Sequence, residues 1–175
     1  MKEVTRGEAR NASRRSIGAF IVIGIILYAV VNAPGVSGLI LEPINNALAS
    51  VSASLIHLFG GEVSVTKNVL ALPDFAVEIV DMCNGVEATL LLCSGLLAFP
   101  APWKHKLKGM IFGVLAIYFL NTLRVISLLY LGAFNREWFE WIHWYLWDII
   151  LIAYIAGLFL FWVRTAPPRI TLNEG

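Results

Sequence analysis

Apolar runs at 16–33, 109–131 and 144–163 each approach the ~20 residues that a helix needs to cross the hydrocarbon core of a bilayer. A fourth, shorter run extends from about Val86 to Phe99 and stops at Pro100 and Pro102. In lipid a backbone has to satisfy its own polar groups, so runs like these become helices. Composition agrees: 58% of the chain is hydrophobic, 14% is charged and the mean hydropathy is +0.75, against roughly a quarter charged in a soluble domain. The expected fold is an all-α polytopic membrane protein of about four transmembrane helices, with a small extracytoplasmic helix and β-hairpin.

The formal charge is only +1, but the charges are sorted by segment. Lys2, Arg6, Arg10, Arg14 and Arg15 precede the first run, Lys104, Lys106 and Lys108 follow the second, and Arg164 and Arg169 follow the last. Between 34 and 84 only Lys67 stands against Glu42, Glu62, Asp74, Glu78 and Asp81. With four spans the three basic segments fall on one side, which the positive-inside rule assigns to the cytoplasm. The expected organisation is a cytoplasmic basic N-terminus (1–15), a first transmembrane helix (16–33), an extracytoplasmic segment (34–84), a three-helix membrane core (85–163) and a cytoplasmic tail (164–175). The basic start running into an apolar stretch reads as a signal peptide or a signal anchor; Val31-Asn-Ala33 is a weak cleavage site followed at once by Pro34, and the uncleaved anchor is the preferred reading. Both termini are then cytoplasmic, and Cys83 and His143 face outward.

Within 34–84, Pro43, Ile44, Leu48, Val51, Leu55 and Leu58 recur near helical spacing among Asn45, Asn46, Ser50, Ser52 and Ser54. That spacing predicts an amphipathic helix lying in the interface rather than a span, closed by Gly60 and Gly61. Beyond it Val63, Val65 and Val69, then Phe75, Val77 and Ile79, alternate with other residues around turn signals at Lys67-Asn68 and Pro73-Asp74. This predicts a small hairpin whose second strand leads to Cys83.

Cys83 lies between that hairpin and an apolar helix. Asn84 can cap the helix with Glu87 at its third position, a variant capping box that would set the sulfur beside the positive end of the helix dipole and lower the thiol pKa. The capping box is also the simpler account of Glu87. Arg124, with Asn121 three residues before it on one helical face, is costly inside a span and needs a reason: a structural ion pair with Glu87 or Asp148, a catalytic role, or both. His143 opens the last span among Trp138, Trp141, Trp144, Tyr145 and Trp147, which most simply form an interfacial aromatic belt. A thiol, a guanidinium and an imidazole from three spans, all on one leaflet, can supply a nucleophile, hold an oxyanion and shuttle a proton. His57 and His105 fall elsewhere. Cys93, ten residues along the same helix, is roughly 15 Å from Cys83, too far for a disulfide, and is expected only to pack. Gly109, Gly113 and Ala116 mark a close helix contact. The chain has no motif for a metal, a nucleotide or another cofactor, and nothing in it points to a nucleic-acid partner.

Cys83-Asn-Gly-Val-Glu87 entering a span, Phe99-Pro100 before a basic loop, Asn121-Thr-Leu-Arg124-Val125 in the next span and His143 before the last resemble the exosortase and archaeosortase superfamily, most closely its exosortase H subgroup. The resemblance covers residues 60–163. It implies a cysteine transpeptidase or protease of the bacterial inner membrane that processes C-terminal sorting tails of secreted proteins, each a short motif, a transmembrane helix and a basic cluster. For the H subgroup the motif would resemble Ile-Pro-Thr-Leu with a Trp-Gly pair. It also implies Cys83 as nucleophile, Arg124 as transition-state stabiliser and His143 as acid or base, a thioester intermediate, and an amine acceptor on a lipid or envelope polymer, or water. Fuller members of the superfamily have more spans than this chain. Two other readings compete: a thiol redox membrane protein, which would need a second outward cysteine, and a non-catalytic assembly subunit held together by Arg124 and Asp148.

Overall fold

The computed structural model describes residues 6–166, with side chains from Arg14 onward. Lys2 of the basic N-terminus and Pro167, Pro168 and Arg169 of the tail lie outside the described residues. The elements run α1 (Arg6–Val31), α2 (Val36–Leu58), β1 (Ser64–Thr66), β2 (Val69–Ala71), β3 (Ala76–Glu78), α3 (Val86–Ala98), α4 (Trp103–Phe134), α5 (Arg136–Trp141) and α6 (Trp147–Arg164). A single 3-10 turn, Asp81–Cys83, precedes α3, and a π-helical turn, Ile142–Leu146, joins α5 to α6 without a break. The chain is therefore a polytopic helical membrane protein with one small sheet. Among the described residues four helical stretches are long and apolar enough to cross a bilayer: Arg14–Val31, Val36–Leu58, Trp103–Phe134 and Arg136–Arg164. α3, at 13 residues, is shorter.

Contacts between small and large residues give the direction of each helix. On α1, Gly24 approaches Ser94 of α3, while Ser16 and Phe20 share a cavity with Ala98 and Phe99, so α1 and α3 are antiparallel. Gly113 of α4 faces Leu92, and Gly85 at the start of α3 faces Asn121, so α4 runs back toward the Cys83 end. Gly109 faces Trp162, which makes α6 antiparallel to α4. The side chains of Leu92 and Trp162 fill the space that a methyl group at Gly113 or Gly109 would need. Between lipid-facing helices, where tails are as apolar as leucine, such close approach supplies the attraction that hydrophobicity does not. Ala88, Leu92, Leu96, Ile117, Ile155 and Trp162 form the core of this bundle.

At 32 residues α4 is about 48 Å long, well beyond a ~30 Å hydrocarbon core. Its C-terminal part carries a second core of Leu48, Ala49, Ala53 and Ile56 from α2, Leu70 and Ile79 from the sheet, and Val125 and Leu129 from α4. Each leucine fully buried here contributes roughly 1.5–3 kcal/mol if its alternative is water. α2 runs the same way as this half of α4: Asn45 bonds to Asn84, at the level of Asn121, while Gly61 just past α2 approaches Tyr130.

Four expectations need correction. The hairpin is a three-stranded antiparallel sheet in the order β1-β2-β3, because Leu72-Pro-Asp-Phe75 reverses the chain as effectively as Lys67-Asn68 does. The interfacial helix is 23 residues long and meets the length and apolarity of a span, and the face it buries is not the expected one: Pro43, Val51 and Leu58 are exposed, while Asn45 and Ser52 are buried. Leu41, Asn45, Leu48, Ser52 and Ile56 are buried on one face, while Glu42, Asn46, Ser50 and Ser54 are exposed on the other. The basic segment from Trp103 to Lys108 is the first turn and a half of α4 rather than a loop. The last helical stretch begins at Arg136, so His143 lies within it and not in a linker.

Candidate active site

Between β3 and α3 the chain makes two tight turns, and each is pinned by a side chain from another element. Cys83 N donates to Val80 O at 2.8 Å, closing the 3-10 turn. Gly85 has φ 82, where a side chain is strained, and a Cβ there would lie 3.3 Å from the Asn121 amide nitrogen. Asn45 Nδ2 donates to Asp81 Oδ1 at 2.8 Å, and Asn84 Nδ2 donates to Asn45 Oδ1 at 2.8 Å. Asn84 Oδ1 in turn accepts from Val86 N at 2.9 Å, and Asn121 Nδ2 donates to Cys83 O at 2.9 Å. Buried amides satisfied in this way hold a backbone more firmly than apolar packing does, because an unmade bond there costs ~1–3 kcal/mol.

Asn84 thus caps the first turn of α3, but Gly85 occupies the N-cap position and Glu87 is exposed and makes no side-chain hydrogen bond among the described residues. The expected capping box is absent, because the left-handed residue inserted between Asn84 and Val86 breaks its spacing.

The Cys83 sulfur lies between two groups. His143 Nε2 is 3.9 Å from it, and Arg124 Nη2 is also 3.9 Å from it. The same Arg124 nitrogen is 3.3 Å from Asp148 Oδ1, so of the two carboxylates offered by the sequence Asp148 is the partner. The π-helical turn is what makes this set possible. Five residues advance a regular α-helix by about 500°, which would leave His143 and Asp148 on faces some 140° apart. An i→i+5 turn is wider, and both side chains come round to Cys83 and Arg124; such turns recur at functional sites. The imidazole is stacked on Phe139, ring centroids 5.5 Å apart and planes at 3°, and Trp144 meets it edge-on at 5.3 Å. These contacts orient the ring, and the aromatic cluster expected only as an interfacial belt contributes to the site.

The expected lowering of the thiol pKa is overturned. Burial pushes the Cys83 thiol up from its ordinary value; Arg124 pulls it down, and Asp148 and Glu87 push it further up. The sulfur sits upstream of the helix start, in a 3-10 turn, and desolvation is the largest influence on it. The resting group is therefore a thiol that needs a base when it attacks.

Three buried polar atoms of the residues around Cys83 have no partner among the described residues: Arg124 Nε, Asn121 Oδ1 and His143 Nδ1. A cleft of ≈ 250 Å³ is lined by residues 75–80, Cys83, Arg124, Val125, Leu128, Arg136, Phe139, Glu140 and His143. Arg124 and His143, two of the residues with an unsatisfied atom, line this cleft, and buried polar groups left unsatisfied beside a cleft are what a site prepared for a polar ligand presents. Among the described residues no group of His, Cys, Asp and Glu gathers to hold a metal.

Of the residues singled out in the sequence, Cys83, Arg124 and His143 come together, Asn84, Asn121 and Asp148 surround them, and Glu87 stands aside. Asn45 and Asp81 belong to the site and were not anticipated. Asn45 reads in the sequence as part of the polar side of a surface helix; its one signal was its phase, which puts it on the same face as Leu41 and Leu48. Cys93 is a free thiol on α3 and takes no part.

Residues 11–165 match the family model described as transmembrane exosortase. No curated protein and no solved structure matches the chain.

Proposed function

Since the chain belongs to the transmembrane exosortase family, we propose that it is a membrane-embedded cysteine transpeptidase or peptidase. In this reading it removes the C-terminal sorting tail of secreted proteins at the outer face of the bacterial inner membrane. The observation that carries the proposal is the Cys83 sulfur, 3.9 Å from both the His143 imidazole and the Arg124 guanidinium on the floor of a cleft.

His143 Nε2 takes the thiol proton as the sulfur attacks the peptide carbonyl carbon, and a C–S bond forms. The carbonyl oxygen becomes an oxyanion beside Arg124, held against Asp148. Collapse breaks the C–N bond, and the imidazolium returns its proton to the leaving amine. The thioester is then released by an amine on a lipid or envelope polymer, or by water, after His143 removes a proton from the incoming nucleophile. A raised thiol pKa suits this sequence, because the proton moves only when substrate is present.

The orientation belongs to the same proposal. The basic segments around Arg14, Lys104 and Arg164 all lie at the end of the bundle away from Cys83, and the positive-inside rule makes that end cytoplasmic. α1, α3, α4 and α6 cross the bilayer, while α2, the sheet and the C-terminal part of α4 stand outside it. The tail recognised would combine a short motif, a transmembrane helix and a basic cluster. The test is co-expression with a secreted reporter bearing such a tail. Wild type should remove the tail, and Cys83→Ala at equal membrane abundance should leave it intact; equal processing by the two would exclude Cys83 as nucleophile and favour a non-catalytic assembly role.

A further inference from the structure

One wall of the cleft beside Cys83 is made of consecutive residues. Ala76, Val77, Glu78, Ile79 and Val80 all line it, although side chains along a strand point alternately to opposite faces. A run that lines a cleft without skipping does so through its backbone. β3 is one of the two outer strands of the sheet and, among the described residues, pairs only with β2. Leu72 N donates to Phe75 O at 2.8 Å and Ile79 N donates to Asn68 O at 2.9 Å, so Phe75, Val77 and Ile79 turn their backbone groups toward β2. In an antiparallel ladder the alternate residues turn theirs away. Those residues are Ala76 and Glu78, and among the described residues no hydrogen bond from another element reaches their N–H or C=O groups.

An open edge is a template for another strand, and folded proteins usually blunt it with proline, lysine or a bulge. β3 has none of these. Its one charged side chain, Glu78, is engaged at the sheet's own turn, where Asn68 Nδ2 donates to it at 3.3 Å. The edge also has defined ends. Phe75 meets Phe139 edge-on at 5.3 Å and closes one; the other leads through Val80 into the turn that carries the nucleophile. From Ala76 to Val80 is about 13 Å of extended chain, room for four peptide residues.

We propose that β3 is a peptide-binding edge. An extended stretch of the substrate polypeptide adds to it as a fourth strand through the N–H and C=O groups of Ala76 and Glu78, which carries the next carbonyl of the substrate to the Cys83 sulfur. The wall facing the strand includes Val125, Leu128 and Phe139, so the segment it fits has apolar side chains at alternate positions. Main-chain bonds give such a complex its register, and the alternate side chains give it selectivity. The proposal rests on the peptidase reading above for what happens to the bound peptide, but not for the binding itself.

The test uses the full chain in membranes with the tailed reporter. Glu78→Pro removes one outward N–H and leaves the ladder intact, since proline is tolerated on an outward strand edge. Val65→Pro does the same on the far edge, because β1 bonds β2 through Thr66 and Ser64. Glu78→Pro should lower reporter processing about tenfold, the scale of ~1.4 kcal/mol of binding. Val65→Pro should process as wild type does, with membrane abundance and Cys83 alkylation unchanged in both. Equal processing by the two variants, high or low, overturns the proposal. A second readout needs no catalysis. With Cys83→Ala and Cys93→Ala in place, Glu78→Cys is oxidised by copper phenanthroline against single cysteines along the reporter's segment before its span. Strand addition gives disulfide yields that alternate with a period of two residues; a flat profile overturns it. A reporter that wild type leaves uncut but that cross-links with this period would remove the peptidase reading and leave the binding edge standing.

Discussion

Asp148 Oδ1 lies 3.3 Å from Arg124 Nη2, the guanidinium nitrogen that is also 3.9 Å from the Cys83 sulfur. The arginine side chain is 5% exposed and the aspartate 53%. A pair with one member this open to its surroundings is worth only about 0–1 kcal/mol of stability, so its value lies in direction: it fixes the edge of the guanidinium that faces the sulfur. Asp148→Asn should therefore leave thermal stability nearly unchanged while reporter processing falls about tenfold, as expected when a preorganised donor is loosened. Arg124→Lys should lose more, because an ammonium cannot address the carboxylate and the oxyanion through one planar group. Processing by Arg124→Lys within twofold of wild type would contradict the oxyanion role.

The titration of Cys83 gives a test with a sign. Its pKa is raised by burial and, to a lesser extent, by Asp148 and Glu87, and lowered by Arg124. Alkylation by a small maleimide should climb with pH through a midpoint above that of a free thiol. Arg124→Gln should move this midpoint higher, and Asp148→Asn and Glu87→Gln should each move it lower. The folded chain holds this proton more tightly than the unfolded chain does, so the associated stability is full below the unfolded thiol pKa and is lost as pH rises through the folded value. A midpoint below that of a free thiol, measured by the pH dependence of labelling in detergent, would refute the desolvated environment and restore the helix-dipole reading.

Asn45 acts on the nucleophile only through other residues. It bridges Asp81 and Asn84, the residues two before and one after Cys83. Asn45→Leu fills the space but leaves the Asn84 amide and the Asp81 carboxylate without their partner. A destabilisation of ~1–3 kcal/mol follows from that alone. A positioning role adds a second effect: the rate of Cys83 alkylation at fixed pH should change, and processing should fall more than the folded fraction does. Loss of processing in strict proportion to folded protein would reduce Asn45 to a structural residue.

How much of this was legible in the chain depends on the kind of signal. Hydropathy and the sorting of Lys and Arg outlined the bundle, because lipid leaves few alternatives for long apolar runs. Cys83, Arg124 and His143 stood out because each is out of place in its surroundings. What was missed involves phase and register. The π-helical turn at 142–146 has no sequence mark, so His143 read as a residue before a span when it lies inside a helix. The third strand is hidden because both turn signals, Lys67-Asn68 and Pro73-Asp74, are visible but the strand between them, Val69–Ala71, is only three residues long and shows no alternation of its own. Asn45 was assigned to the wrong face because Asn45 and Asn46 are adjacent, and only tertiary contact with Asn84 decides which of the two turns inward. The thiol pKa was misjudged for a related reason: one inserted residue, Gly85, takes the sulfur off the helix terminus, and burial then governs it.

The least conventional part of the proposed topology concerns α2. By length and apolarity it qualifies as a span and α3 does not, yet packing argues the reverse. α2 runs in the same sense as α1 and as the C-terminal half of α4, so it cannot carry the chain back across the membrane. Its exposed stripe of Glu42, Asn46, Ser50 and Ser54 suits water or headgroups better than acyl chains. α3, about 20 Å long, falls short of a ~30 Å core but is flanked by the buried turn at Asn84 and Gly85 and by Phe99 to Pro102, which extend its reach. Single cysteines introduced at Ser54, Glu62 and Lys104 in a Cys83→Ala, Cys93→Ala background separate the two topologies. An impermeant maleimide added to intact spheroplasts should label positions 54 and 62 and spare 104, which reacts only after the membrane is opened. Labelling at 104 from outside would invert the orientation. Protection of 54 together with labelling of 62 only after lysis would make α2 a true span and place the sheet, and with it Cys83, on the cytoplasmic side, where a processing site for secreted tails could not operate.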